Sequence, residues 1–193
     1  MQKHSPHLFI AHGYWKKHLE PGDIAIDATC GKGNDTLMLA QILLSTQSGQ
    51  IFGLDLQQSA IDQTAALLKN NLPDSHFTRI SLKLLCHSEI DQLELPASPR
   101  LIVYNLGYLP GGDKTITTRT ATTLQSLQKA LNLIAPDGAI SVTCYPGHKE
   151  GEHEEKELIT WAEKLSSAQW QICHHRWINR RASPSLLWIR SLG

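Results

Sequence analysis

From residue 20 onward, short apolar runs alternate with longer segments of helical period, and this alternation limits the possible folds more than any single motif does. IAIDA (24–28), GQIFGLD (49–55), ISLKLLC (80–86), RLIVYN (100–105) and AISVTCY (139–145) read as strands. NDTLMLAQILL (34–44), SAIDQTAALLKNNL (59–72), TRTATTLQSLQKALNLI (118–134) and EHEEKELITWAEKL (152–165) read as helices between or after them. The pattern predicts an α/β fold of the Rossmann-like kind, a mostly parallel sheet with helices on both faces. WQICHHRWI (170–178) and SLLWIRS (185–191), joined by NRRASP, read as two closing strands and bring the sheet to seven. Residues 1–19 are expected to form a helix on the edge of the domain, and a length of 193 residues fits a single domain, 1–193.

Ligands of open parallel sheets lie outside the carboxyl ends of the strands, so the residues just after each strand carry the functional information. The first strand runs into DATCGKGNDT and then a helix, a Gly-rich turn that lets backbone N–H groups and a helix N-terminus approach a ligand. A dinucleotide site would show GxGxxG. Here no third Gly stands at that offset, and Asp35 would put negative charge where a pyrophosphate should sit. A phosphate loop fails too, because no Gly-Lys-Ser/Thr follows. Asp27 and Asp55, carboxylates at the ends of consecutive strands around a GxG turn, suit S-adenosylmethionine, with Asp55 placed for the ribose hydroxyls. The competing reading is that both acids only cap turns. After the third strand, His87 either meets the adenine or is an ordinary surface histidine.

The fourth strand ends in NLGYLPGGD (105–113). Asn105 and Tyr108 have the N-x-x-Y spacing of the NPPY loop of methyltransferases that act on exocyclic nitrogens. An amine attacks in line only when its lone pair points at the methyl carbon, so acceptors must hold its protons. The Asn oxygen and the carbonyl of residue 106 can do so, and an aromatic ring at the fourth position can stack on a base. Leu106 and Gly107 replace the two prolines of that loop. Gly111 and Gly112 are read as turn residues. Asp113, His148 or bulk water are the candidate proton acceptors.

Lysine plus arginine and aspartate plus glutamate balance at 18 each, which gives no global signature of a nucleic-acid binder. RNA contacts would have to be local, and Lys114, Arg119, Arg180 and Arg181 are the best placed, on loops expected to rim the strand ends. The acidic start of the helix at 152–165 is expected to face solvent or a partner subunit. Four separated cysteines suggest neither a zinc site nor a disulfide framework, and no metal site is expected. With no signal peptide and no long apolar run, the expected location is cytoplasmic, with no membrane contact.

DATCGKGNDT, NLGYLPGGDK with Thr117 and Thr118, YPGHKEG and NRRASP together resemble the MnmM (YtqB-like) family, formerly labelled rRNA methylases, over essentially the whole chain. The resemblance implies a class I S-adenosylmethionine-dependent methyltransferase that converts 5-aminomethyl-2-thiouridine at the tRNA wobble position to its methylaminomethyl form. It also implies tRNA, through its anticodon loop, as partner and hints at a homodimer. Carried over to this chain, it places the cofactor loop on Asp27, Thr29, Gly31, Gly33, Asn34, Asp35 and Thr36, the ribose on Asp55 and the acceptor on Asn105 to Tyr108; Leu56, His87 and Asn105 are further candidate cofactor contacts at the strand ends. The rival functions are a small-molecule N- or O-methyltransferase, a module that senses the cofactor without turnover, and a nicotinamide dehydrogenase.

Overall fold

The computed structural model describes residues 6–107, 117–180 and 182–193. Tyr108, Asp113, Lys114 and Arg181 lie outside the described residues. The strands are β1 (Ile24–Asp27), β2 (Gln50–Asp55), β3 (Ile80–Leu84), β4 (Leu101–Asn105), β5 (Ala139–Cys144), β6 (Trp170–His175) and β7 (Ser185–Ser191). They form one sheet in the order β3-β2-β1-β4-β5-β7-β6, in which β1 to β5 run parallel and β7 is antiparallel to both of its neighbours. The chain works outward from β1 to β3 and then returns to lay β4 on the other side of β1. Connections leaving β1 and β4 therefore diverge, and a crevice opens between them at the switch in strand order.

β4 shows why the strand runs are continuously apolar. Leu101 and Val103 belong to one core and Ile102 and Tyr104 to the other, because successive side chains point to opposite faces of a sheet buried on both sides. The helices are α1 (Pro6–His18), α2 (Asn34–Leu43), α3 (Gln58–Asn71), α4 (Thr120–Leu133) and α5 (Lys149–Ala162), with 3-10 turns at Asp74–Arg79 and His87–Gln92. Residues of α1 and α2 build one core, and residues of α4 and α5 build the other. α3 stops where Leu72, the residue before Pro73, takes an extended conformation (φ −124°, ψ 150°), as the proline ring requires. β3 ends two residues earlier than its sequence suggests, and the chain turns into the 3-10 segment that carries His87.

The N-terminal segment forms a helix, α1. The helix packs on one face of the sheet, against β5 and β7, two interior strands. His7, Ala11 and Trp15, spaced four apart, form its buried face. Trp15 is fully buried and its Nε1–H donates to Ser141 Oγ on β5 at 2.9 Å, the partner a buried indole needs. Among the described residues no helix is long and apolar enough to cross a membrane.

Candidate active site

A cleft of about 1160 Å³ opens at the carboxyl ends of the parallel strands. Thr29, Gly31, Asn34, Asp35, Asp55, Leu56, His87, Asn105, Arg119 and His148 line it, as the sequence led us to expect of site residues. Asp27, Gly33 and Thr36 do not; they lie behind the loop that does.

Asp27 is 1% exposed. Its Oδ2 accepts from Thr36 Oγ1 at 2.6 Å and its Oδ1 from the Thr29 N–H at 3.3 Å, so the carboxyl ties the turn to the first coil of α2. Burial, reinforced by the charge of Asp35, pushes its pKa up to about 7. Gly33 takes φ +81°, and a Cβ there would lie 2.9 Å from the Thr64 Cα of α3. Only glycine satisfies both the backbone angle and the approach of the two helices.

Asp55 behaves differently. Its Oδ2 accepts from the Gly31 N–H at 3.0 Å and its Oδ1 from the Gln57 N–H at 2.9 Å. Each carboxylate oxygen has room for a second donor, so two hydroxyls from the cleft side can still bind. Beside it Leu56 is 55% exposed, an apolar side chain at the cleft wall. His87 closes this end. It is buried, and burial lowers its pKa to about 4, which keeps the ring neutral. Its Nδ1 is buried without a hydrogen-bond partner among the described residues. The segment is pinned from behind: Tyr104 OH shares a hydrogen bond with Ser126 Oγ (2.8 Å), which donates to the His87 carbonyl (2.6 Å).

The other half of the cleft centres on Asn105. Its backbone N–H donates to Thr29 Oγ1 at 2.7 Å, which locks the end of β4 to the β1 loop. Its side-chain Nδ2 donates to Asp35 Oδ2, and Asp35 Oδ1 pairs with His12 Nε2 at 2.8 Å. With the amide nitrogen committed to Asp35, the amide oxygen is turned toward Tyr145, whose hydroxyl lies 3.4 Å away. Tyr145 OH in turn meets His7 Nε2 at 3.2 Å. The chain His12, Asp35, Asn105, Tyr145, His7 thus begins and ends on α1. Sequence reasoning named two of the five. The signals available for the others were the histidines on the buried side of the first helix and the tyrosine that opens YPGH.

The wall beyond Asn105 is held from α5. Glu154 is buried and accepts from Thr118 Oγ1 (2.8 Å) and Thr123 Oγ1 (2.7 Å). Thr118 Oγ1 also accepts the Gly107 N–H at 2.9 Å, while the Gly107 carbonyl accepts the Thr118 N–H at 3.0 Å. The acidic start of α5 therefore does not simply face solvent, because Glu154 points inward and fixes both ends of the loop that follows β4. Burial raises the pKa of Glu154. His148 caps α5, its Nδ1 accepting the Gly151 N–H at 3.1 Å. Arg119 precedes α4 on the cleft wall. Arg180 is exposed, away from the lining, with its guanidinium 6.0 Å from the centre of the Trp177 ring.

Residues 51–191 match the model of the "Putative rRNA methylase" family, which is most of the chain. The chain belongs to this family. A protein from Arabidopsis thaliana named tRNA (mnm(5)s(2)U34)-methyltransferase, chloroplastic, is 35% identical over 185 residues, covering 93% of this chain and 67% of the relative. Among solved structures, the "putative rRNA-methylase" from Clostridium thermocellum superposes with a TM-score of 0.89 at 32% identity, covering 96% of this chain and 97% of its own. A Streptococcus mutans methyltransferase, solved with S-adenosylhomocysteine, gives 0.82 at 26% identity over the full length of both chains. The fold is that of a class I methyltransferase, and the order of the strands agrees with it. A dehydrogenase reading is thereby set aside.

Proposed function

We propose that this methyltransferase uses S-adenosylmethionine to methylate the aminomethyl nitrogen of 5-aminomethyl-(2-thio)uridine at the wobble position of tRNA. The observation that carries the proposal is the orientation of the Asn105 amide. Its nitrogen is spent on Asp35, so its oxygen is the atom available in the cleft, and an oxygen is what an amine N–H requires. The relative from Arabidopsis thaliana, named for a methyl transfer to this class of nucleoside, supports the same acceptor.

The cleft has features that suit the cofactor. Asp55 offers free lone pairs to a ribose diol, Leu56 an apolar surface to a ring, and His87 a neutral, buried ring that closes that end of the cleft. The turn at Thr29 to Asn34 and the start of α2 present backbone donors suited to a carboxylate. When bound, the cofactor supplies an electrophilic methyl on a sulfonium. The residues of this chain do the rest. Asn105 Oδ1 accepts one amine proton and so aims the lone pair, and Thr29 and Asp35 keep that oxygen from moving. The wobble base already lies in a single-stranded loop, and swinging it into a cleft costs little unstacking energy. Arg119 at the rim suits a nearby phosphate.

The test is transfer of labelled methyl to tRNA from cells that cannot complete the wobble modification, followed by nucleoside mass spectrometry. The expected product is the methylaminomethyl nucleoside. Label that enters a metabolite fraction and never tRNA would replace this reading with that of a small-molecule methyltransferase.

A further inference from the structure

We propose that Tyr145 and His7 form a proton relay that carries the acceptor amine's proton out of the methyl-transfer cleft into a second cleft between α1 and the end of β6. The proposal rests on the N-methylation reading above. It begins from the chemistry of the acceptor: a primary alkyl amine is mostly an ammonium at neutral pH and has no lone pair until it loses a proton. Asn105 can orient the nitrogen but cannot take that proton, because an amide oxygen is too weak a base. Of the acceptors considered from sequence, His148 has its Nδ1 committed to the N-terminus of α5.

Tyr145 stands where a relay needs it. It lines the main cleft, its hydroxyl 3.4 Å from Asn105 Oδ1 and 3.2 Å from His7 Nε2. The first distance is long for an O–H···O bond, so the single hydroxyl proton is better directed at His7, leaving the oxygen open to an amine N–H. The rings of His7 and Tyr145 meet edge to face, centroids 5.3 Å apart at 87°. His7 is itself buried, yet it also lines the second cleft, of about 310 Å³, with Ile10, His174, His175, Arg176 and Trp177. One imidazole thus connects a hydroxyl in one cleft with solvent in another.

The step balances as follows. The substrate ammonium gives one N–H proton to Tyr145 Oη as the Tyr145 hydroxyl proton passes to His7 Nε2. The neutral amine attacks, the N–C bond forms, the C–S bond breaks and its electron pair stays on sulfur, and the product leaves as a secondary ammonium. His7, now an imidazolium, releases its other ring proton to water in the second cleft.

The electrostatics suit a carrier rather than a store. Burial lowers the pKa of His7 and raises that of Tyr145, so the imidazole is neutral and the phenol protonated when the substrate arrives. The charged and titratable groups facing His7 are Asp35, which favours the imidazolium, and His12, which opposes it, together with Tyr145 and, across the second cleft, His174, His175 and Arg176. A lowered pKa also hastens release of the other ring proton, and a return of the imidazole from the Nε2–H to the Nδ1–H tautomer, by exchange with water in the second cleft, resets the relay.

The experiment uses the full-length protein with aminomethyl-bearing tRNA and compares wild type, His7→Gln and His7→Ala, with cofactor affinity measured for each. Gln can still accept a hydrogen bond from Tyr145 but cannot carry a proton. His7→Gln is expected to lose roughly 100-fold in kcat with cofactor affinity unchanged. His7→Ala is expected to lose a similar factor and to regain it, saturably, on addition of imidazole, which can enter from the second cleft. A His7→Gln enzyme with wild-type kcat would overturn the relay, as would a cofactor-binding His7→Ala enzyme that imidazole does not restore. Should wild type fail to methylate the aminomethyl nitrogen, the N-methylation reading falls and the relay with it, which separates the two failures.

Discussion

The two halves of the cleft are held together in different ways. Around Asp55 the contacts come from the turns themselves: Gly31 and Gln57 donate backbone N–H groups, and Asp27 behind them accepts from Thr29 and Thr36, residues of the same turn and helix. Around Asn105 the partners come from far along the chain, with Asp35 seventy positions away and His7 separated from Tyr145 by 138. The cofactor half is built from the turns after two adjacent strands, β1 and β2. The acceptor half exists only once α1 has docked on β5 and β7. A fold that serves many methyl acceptors can keep the first half and vary the second, because changes to side chains from distant elements leave the turn after β1 intact.

If the halves are separable, damage to one should spare the other. The largest effect is expected from Asn105→Ala, which removes the oxygen that aims the amine. It should lower kcat about a thousandfold while the cofactor dissociation constant, read by calorimetry, changes little. Cofactor affinity falling as steeply as kcat would show that the two halves are one.

Asp27→Asn probes the cofactor half through stability. A carboxyl whose pKa is raised to about 7 holds its proton longer in the folded chain than in the unfolded one, so stability is lost as pH rises from about 4 through 7. Between pH 5 and pH 8 that loss should be on the order of 2–3 kcal/mol in the cofactor-free protein. Asn has no proton to lose, and urea titrations of the variant at the two pH values should differ by much less. Next in size, Asp55→Ala should weaken cofactor binding about tenfold, with kcat at saturating cofactor within a few-fold of wild type. Smallest is Arg119→Ala. It should raise KM for tRNA a few-fold and reduce the slope of log affinity against log salt by about one, with small amine acceptors unaffected.

The same division explains what could be read from the sequence. The strands and the helices between them were legible because a sheet buried on both faces needs continuous apolar runs and its helices a 3.6-residue stripe. Asp55, Gly31 and Asn34 were legible because each stands at or just after the carboxyl end of a strand, Asp55 at the end of β2 and Gly31 and Asn34 in the turn between β1 and α2. Asp27 has the same residue type in the same place, one strand over, and only burial separates its role from that of Asp55. Spacing says nothing about burial. His7, His12 and Tyr145 were hidden for a stronger reason: their function depends on which strands α1 crosses, and that depends on where Trp15 finds Ser141. Glu154 sat in a charged helical stretch that looked solvated, and its inward turn follows from two threonines more than thirty positions away.

The most direct test of the account is a structure of the protein with S-adenosylhomocysteine and an anticodon stem-loop carrying 5-aminomethyl-2-thiouridine. The account predicts the ribose of the cofactor on Asp55 and the aminomethyl nitrogen within hydrogen-bonding distance of Asn105 Oδ1, beside the Tyr145 hydroxyl. A nucleoside bound with its aminomethyl group away from Asn105 while the cofactor sits on Asp55 would contradict it.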